Sequence, residues 1–489
     1  LYIDTDTTQE SNNRNAMSET KHTVIQHALQ AIGNYEEVYK ELHRTPELSW
    51  QEQATAAFIA DQLRKINDDN EGEGFKITTG IGGTGVVGIL DNGPGKKVLL
   101  RAELDALPLR EETGLPYSSE KSGRDEQTGE AIPAMHACGH DMHMTSLLCA
   151  ARALSGCRKL WSGMLIVLFQ PSEENGAGAQ AMVTDGLYDP KRFAVPIPDA
   201  VLAGHTMPMR AGVVASRIGV VNSAVLSVQA TIHGRGGHGA RPQNAVDPVV
   251  IMSSIVMKLQ TIVSREIAPQ ESVVVTVGSA HAGTAENIIS DKAVLKINIR
   301  ALSTDGLRRA HEAVVRIIEG ECNMFRCPKS PEIKEIGGFP LLENHAPLTS
   351  SVVKAFTSHF KDDYRNEEYA SLGAEDLSNL AVEGAQCTFW NIGCIPHDVW
   401  DKAEKENRLE TVAGMLNREH KWPETPEANQ CIFLPGNHSS KFAPAIQPTL
   451  RVASEALIVA SLDSFGQAWE LTSLSQYPRP RQCPRESRT

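Results

Sequence analysis

The chain has 489 residues, 41% hydrophobic and 22% charged, a balance that supports a sizeable buried core and excludes collagenous, low-complexity and disordered classes. At about 150 residues per unit, the length predicts roughly three domain-sized units, or one large domain with an insertion. Acidic residues number 60 against 47 basic ones, and the net charge of −13 describes a surface that repels phosphate backbones, so no nucleic-acid partner is expected.

In chain order, residues 1–20 are polar and aperiodic and predict a disordered leader. They lack the apolar stretch of a secretory signal, and no later run approaches the ~20 apolar residues that cross a bilayer. Nine cysteines are too few and too scattered for a disulfide framework. A reduced, cytoplasmic protein with no membrane partner is expected.

Residues 22–66 carry helical spacing, interrupted at Thr45-Pro46, where the proline ends one helix. Residues 97–104 (KVLLRAEL), 163–170 (GMLIVLFQ) and 199–204 are short apolar runs of the kind buried on both faces of a parallel sheet. Helical stretches at 145–154 and 178–185 alternate with them, which makes the fold class α/β. From residue 223 the rhythm changes. A strand at 223–233, a helix at 246–265, strands at 272–278 and 293–300, a helix at 305–322 and a strand at 331–336 give the order β-α-β-β-α-β of a ferredoxin-like unit. Residues 220–337 therefore read as an insertion in a discontinuous domain formed by 21–219 and 338–470. A strand at 385–392 and a helix at 450–462 close that domain, and the proline- and arginine-rich tail, 471–489, is expected to be disordered.

Three segments carry chemistry. His136-Ala137-Cys138-Gly139-His140-Asp141-Met142-His143 packs imidazoles, a thiol and a carboxylate into eight residues, the donor set of a transition-metal site with zinc or manganese. Glu173 and Glu174 follow a buried strand, at the carboxyl edge where open α/β sheets bind ligands. Adjacent buried carboxylates repel unless a cation or proton intervenes. One of them binding metal while its neighbour takes a proton from water resolves that repulsion; the competing reading is a solvated helix N-terminus. His205 lies just past a third strand end, either as a ligand or as a packed histidine, and Glu103 and Asp105 end a fourth strand beside Arg101, which could simply pair with them. Gly80–Gly85 fits the G-x-G-x-x-G dinucleotide pattern, but a strand rather than a helix follows it, so it reads as a hairpin loop.

RAELDALPL, ETGLPYSS, MHACGHDMHMTSLL, FQPSEENGAGA, HTMP, HGRGGHGARP and GAEDLS together resemble the amidohydrolase branch of the two-metal aminoacylase/carboxypeptidase family, which includes hippurate hydrolases and indole-acetyl-amino-acid hydrolases; the similarity covers residues 35–465. The resemblance implies a metal-bearing α/β domain with an inserted lid that mediates homodimerisation. It implies two divalent ions held by Cys138, His140, Glu174, His205 and, in Asn437-His438-Ser439-Ser440-Lys441-Phe442, His438. Glu173 matches the general base and Asp105 an acid that orients a ligand. His238 of the lid matches a histidine that polarises the scissile carbonyl, often from the partner subunit, and Asn287 and Arg300 match positions that grip the substrate.

Departures from the family are Glu103 in place of a more frequent aspartate, Asn437 in place of a frequent histidine, and a long charged segment at 399–427. The implied activity is metal-assisted hydrolysis of the amide in an N-acyl amino acid or a similar small conjugate. A dipeptidase or carboxypeptidase of the same fold and a metal-binding module without activity are the alternatives.

Overall fold

The computed structural model describes residues 6–69, 73–125, 128–405 and 434–466, with side chains from residue 22 onward. Helix α1 (Asp6–Arg44) begins within the segment expected to be a leader. His22 and Thr23 are exposed, and packing starts at Val24 and Ile25. The helix ends just before Thr45-Pro46, as the proline requires, and α2 (Gln53–Asp68) follows.

The next strands are β1 (Lys76–Ile81), β2 (Gly85–Asn92), β3 (Lys97–Glu103), β4 (Gly163–Gln170), β5 (Ala200–Arg210) and β6 (Val214–Ser216), with α3 (His140–Gly156) and α4 (Gly178–Thr184) between them. The loop between β1 and β2 holds Gly82 and Gly83 at positive φ, and the two strands pair antiparallel, so the glycine-rich pattern is a hairpin turn.

The insertion supplies β7 (Ala224–His233), α5 (Pro248–Thr261), β8 (Val273–Ala282), β9 (Lys292–Ala301), α6 (Thr304–Met324) and β10 (Glu332–Phe339). Its sheet has the order β8-β9-β7-β10 with every pair antiparallel, the ferredoxin-like arrangement read from the strand order. Ile255, Ile297 and Val314 belong to a core of its own.

The chain then returns through α7 (Ala346–Phe360), β11 (Tyr364–Asn366), β12 (Gln386–Ile395), α8 (His397–Lys405) and α9 (Ile446–Ser464). Of the charged 399–427 segment only the part through Lys405 is described; the rest of it, and the tail 471–489, lie outside the described residues. The large sheet has the order β1-β2-β4-β3-β5-β12-β6-β11. It is mixed rather than all parallel: β4, β3, β5 and β12 run parallel, while the β1–β2 hairpin joins β4 antiparallel. A short hairpin loop can only reverse the chain, which fixes that edge.

Side chains alternate across this sheet. Leu100 and Val167 face the layer of α1, α3 and α9, meeting Val24, Leu147 and Ile458, whereas Leu99 and Ile166 face Met182 and Leu377. Both faces are covered, and the carboxyl ends of β3, β4 and β5 are left open to carry the polar residues described next.

Candidate metal centre

Cys138 and His140 flank a glycine for a steric reason. Gly139 has φ +86°, and a Cβ there would lie 2.2 Å from Thr206 Oγ1, so only glycine lets this turn close on β5, within which His205 and Thr206 lie rather than past its end. Beside Thr206 stands His205, whose Nδ1 donates to the Thr206 carbonyl at 2.8 Å. That leaves the His205 Nε2 lone pair facing Cys138 Sγ at 3.5 Å.

Glu173 and Glu174 occupy a tight turn after β4. Ser172 takes φ +45°, and its N–H donates to Glu52 Oε1 at 2.9 Å, while a Cβ on Gly178 would overlap the Pro171 carbonyl oxygen at 1.6 Å. The Glu174 N–H donates to Asp105 Oδ2 at 3.0 Å, and Ser49 Oγ donates to the same oxygen at 2.7 Å. Asp105 thus ties the end of β3 to the carboxylate turn. Its backbone carbonyl also accepts from His140 Nδ1 at 2.8 Å, which fixes the His140 tautomer.

With Nδ1 committed, His140 Nε2 faces Glu173 Oε2 at 3.7 Å and Glu174 Oε1 at 3.8 Å. Both His140 Nε2 and Glu174 Oε1 are buried and lack a hydrogen-bond partner. An imidazole nitrogen and two carboxylate oxygens buried this close together need a cation or bound protons between them. On its other side Glu174 Oε2 lies 3.4 Å from His438 Nε2, and His438 is carried into place by a backbone at φ +67°. The five residues expected to bind metal therefore converge: Cys138 with His205, His140 with Glu174, and Glu174 with His438. Cys138, His140 and Glu174 have donor atoms within 4.8 Å of one another, as do Glu103, His140, His143 and His205. The donor set fits divalent transition ions.

The titration behaviour has the same cause. Burial and the charges of Glu174 and Glu173 push the Cys138 thiol well above its ordinary range, so a thiolate there needs a neighbouring cation. Burial, partly offset by His140, raises Glu174 to about 7. Burial alone would lower His140, but Glu103, Asp105 and Glu174 outweigh it and raise it to about 10. Burial, then repulsion from Glu375, Glu174 and Asp376, drives the Glu173 carboxyl well up, against the pull of Arg101.

Behind Glu173 lies a group only partly visible in the sequence. Arg101 is 2% exposed; its guanidinium donates to Glu375 at 2.8 Å, to Asp376 at 3.0 Å and also to Glu103. Its Nε donates to Gln170 Oε1 at 2.9 Å. Glu103 thus pairs with Arg101, whereas Asp105 serves His140. Glu103 also meets His143 Nδ1 at 2.8 Å, and His143 Nε2 accepts from the Thr206 N–H at 2.8 Å. Glu375 and Asp376 bring their carboxylates within 4.8 Å of Glu173. They belong to the GAEDLS segment, and the signal for them was an acidic pair next to a glycine, with no indication of its partner. His43 is a second such case, holding Asp141 at 2.6 Å and Glu111 at 3.0 Å in a buried triad beside His140.

The candidate residues in the 220–337 segment are placed apart. His238 is exposed and accepts from the Ala240 N–H at 3.1 Å. Exposed Asn287 lies beside it, its carbonyl accepting from the Gly239 N–H at 2.9 Å. Among the described residues His238 joins none of the His, Cys, Asp and Glu groups that could hold a metal ion. Arg300 reaches the main domain, donating to the Leu372 carbonyl at 2.7 Å, two residues before the Ala374-Glu375-Asp376 run.

The sequence profile of Peptidase family M20/M25/M40 matches residues 99–417. Hippurate hydrolase of Campylobacter jejuni is 38% identical over 61% of this chain and 72% of its own length. N-acetyldiaminopimelate deacetylase of Streptococcus uberis is 35% identical over 72% of this chain and 88% of its own. A solved protein of methicillin-resistant Staphylococcus aureus superposes with a TM-score of 0.72 at 27% identity, covering 91% of this chain and all of that one. With the thiolate, imidazole and carboxylate donors gathered at the strand ends, the profile and these relatives lead to one assignment: the chain belongs to Peptidase family M20/M25/M40 and is a metal-dependent amidohydrolase.

Proposed function

We propose that the protein hydrolyses the amide bond of N-acyl amino acids, using two divalent cations, zinc or manganese, held by Cys138, His140, Glu174, His205 and His438. The observation that carries this reading is the buried His140 Nε2, set 3.7 and 3.8 Å from two carboxylate oxygens and without a hydrogen-bond partner. The names of the relatives, hippurate hydrolase and N-acetyldiaminopimelate deacetylase, both denote removal of an acyl group from an amino acid. Bound there, the cations supply a water deprotonated near neutral pH and a Lewis acid for the carbonyl.

The protein's own residues do the rest. Glu173 is the general base: it takes a proton from water and returns it to the departing amine, and its raised affinity for a proton suits both halves of that task. Asp105 holds His140 in the tautomer that points Nε2 inward. His238, with Asn287 nearby, polarises the carbonyl from the lid, and Arg300 binds the substrate carboxylate.

Because His238 stands away from the centre in one chain, a partner subunit is its natural source, and the lid, residues 220–337, is the dimerisation unit. Two features support a homodimer: β8 is an edge strand, and Val249, Val250 and Met257 of α5 are 41%, 51% and 71% exposed. A monomer by light scattering at micromolar concentration contradicts it. The cysteines of the described residues are free, which fits a reducing, cytoplasmic setting. No described helix is long and apolar enough to cross a membrane.

The test is a substrate panel. Hydrolysis of acetyl, benzoyl or indole-acetyl amino acids that stops on chelation and returns with zinc or manganese is the expected result. Cleavage confined to dipeptides would move the protein to the peptidase reading. No metal-dependent cleavage of either class would end the proposal.

A further inference from the structure

Three ligand-bearing segments meet at one side chain that is not itself among the ligands. The Asn437 amide nitrogen donates to the Cys138 carbonyl at 3.1 Å and to the Thr206 carbonyl at 3.0 Å. The same nitrogen lies 3.7 Å from Cys138 Sγ. An amide NH2 has two donor hydrogens, and here both go to backbone carbonyls of segments that carry Cys138 and His205. Rotating the amide would turn its oxygen toward two carbonyls and a sulfur, so this orientation is the one the surroundings allow. Asn437 is itself the neighbour of His438, whose N–H donates to the Ala137 carbonyl at 2.7 Å.

The sequence separation explains why this joint matters. Asn437 is 299 residues from Cys138 and 231 from Thr206, so nothing local holds the His438 segment against the other two. His438 is also the most open of the five candidate ligands, with 56% of its side chain exposed, and it sits at φ +67°, which a non-glycine residue adopts only when its surroundings hold it there. The other anchors of this segment lie further along: Phe442 is fully buried, and Ser440 accepts from the Glu112 N–H at 2.7 Å. Neither touches the Cys138 or Thr206 carbonyl. The His438 N–H bond to Ala137 reaches one ligand segment, and Thr206 Oγ1 meets the Cys138 carbonyl at 3.3 Å, but the Asn437 amide is the side chain of this segment that bonds to both of the others.

We propose that Asn437 is a positioning residue that locks the segments carrying Cys138, His205 and His438 into one metal-binding geometry, through its two hydrogen bonds to the Cys138 and Thr206 carbonyls and its approach to the Cys138 sulfur. The inference rests on the ligand assignment proposed above. Outer partners of this kind typically alter metal affinity by about 10–100-fold. Without Asn437 the segments keep their own folds, but the donors no longer share one fixed arrangement, so the loss falls on metal binding more than on folding.

The experiment compares wild type with Asn437→Leu, which keeps the branched shape, is somewhat larger and removes both donors, and Asn437→Ser, which keeps one short donor. Metal-free protein is titrated with zinc by calorimetry and with cobalt(II) by absorption, where a thiolate ligand gives a near-ultraviolet charge-transfer band. The proposal expects apo melting temperatures close to wild type, zinc affinity about 10–100-fold weaker in Asn437→Leu and less affected in Asn437→Ser, and a weakened or shifted thiolate–cobalt band. Wild-type affinity and band in a folded variant overturn it. If Asn437→Leu does not fold, Asn437→Ser decides by the same two readings. Failure of wild type to bind zinc or show the band would instead remove the ligand assignment, a result separable from failure of the Asn437 inference.

Discussion

Glu173→Gln is expected to lower turnover by about 10²–10⁴-fold, the usual worth of a general base, while the melting temperature holds or rises. The two effects have one origin. Glu173 shares its pocket with Glu375 and Asp376 within 4.8 Å, and burial together with their repulsion is what raises its carboxyl. Glutamine keeps the shape, removes a mutually repelling charge and cannot accept the proton from water. A site strained for function gains stability when the strained group is neutralised. Steady-state kinetics on a metal-loaded sample, with thermal unfolding of the same preparation, reads both effects. Near-normal turnover contradicts the base assignment, and a large fall in melting temperature contradicts the account of repulsion.

The largest stability effect is expected from Arg101→Met. The guanidinium is buried among Glu103, Glu375 and Asp376, and removing it leaves three carboxylates away from water without their cation. Breaking a buried pair in this way costs about 3–5 kcal/mol, because the partner charges remain. The remedy confirms the cause: adding Glu375→Leu to Arg101→Met should recover part of the loss, since it removes one of the stranded charges. Urea unfolding of the wild type and the two variants measures this. A change below about 1 kcal/mol in Arg101→Met would mean the cluster is not held by its arginine.

Much of the scaffold was legible because it rests on local patterns. The run 163–170 is buried along almost its whole length and lies inside the sheet, as a continuous apolar run of that length implies. The order β-α-β-β-α-β led directly to the strand arrangement β8-β9-β7-β10. Cys138 and His140 stood out as candidates because imidazoles, a thiol and a carboxylate crowd into eight residues, and Glu174 because it follows a buried strand; His205, expected just past a strand end, lies within the strand Ala200–Arg210.

What escaped depends on distant contacts. The pairing of Arg101 with Glu375 spans 274 residues, and nothing near either position points to the other. Asn437 stood out as a departure from a family pattern, yet its bonds to Cys138 and Thr206 could not be inferred from that. The antiparallel pairings of the main sheet, β2 with β4 and β6 with β12, were hidden for a different reason: apolar runs reveal burial but not strand direction.

The central claim is that donors spread from residue 138 to residue 438 enclose a pair of cations. Equilibrium dialysis of the chelator-stripped protein against zinc, followed by elemental analysis, tests it most directly. The account predicts two tightly held ions per chain in the wild type and fewer in His140→Ala, whose imidazole faces both Glu173 and Glu174. Stoichiometry near zero in the wild type, or two ions retained in His140→Ala, would contradict it.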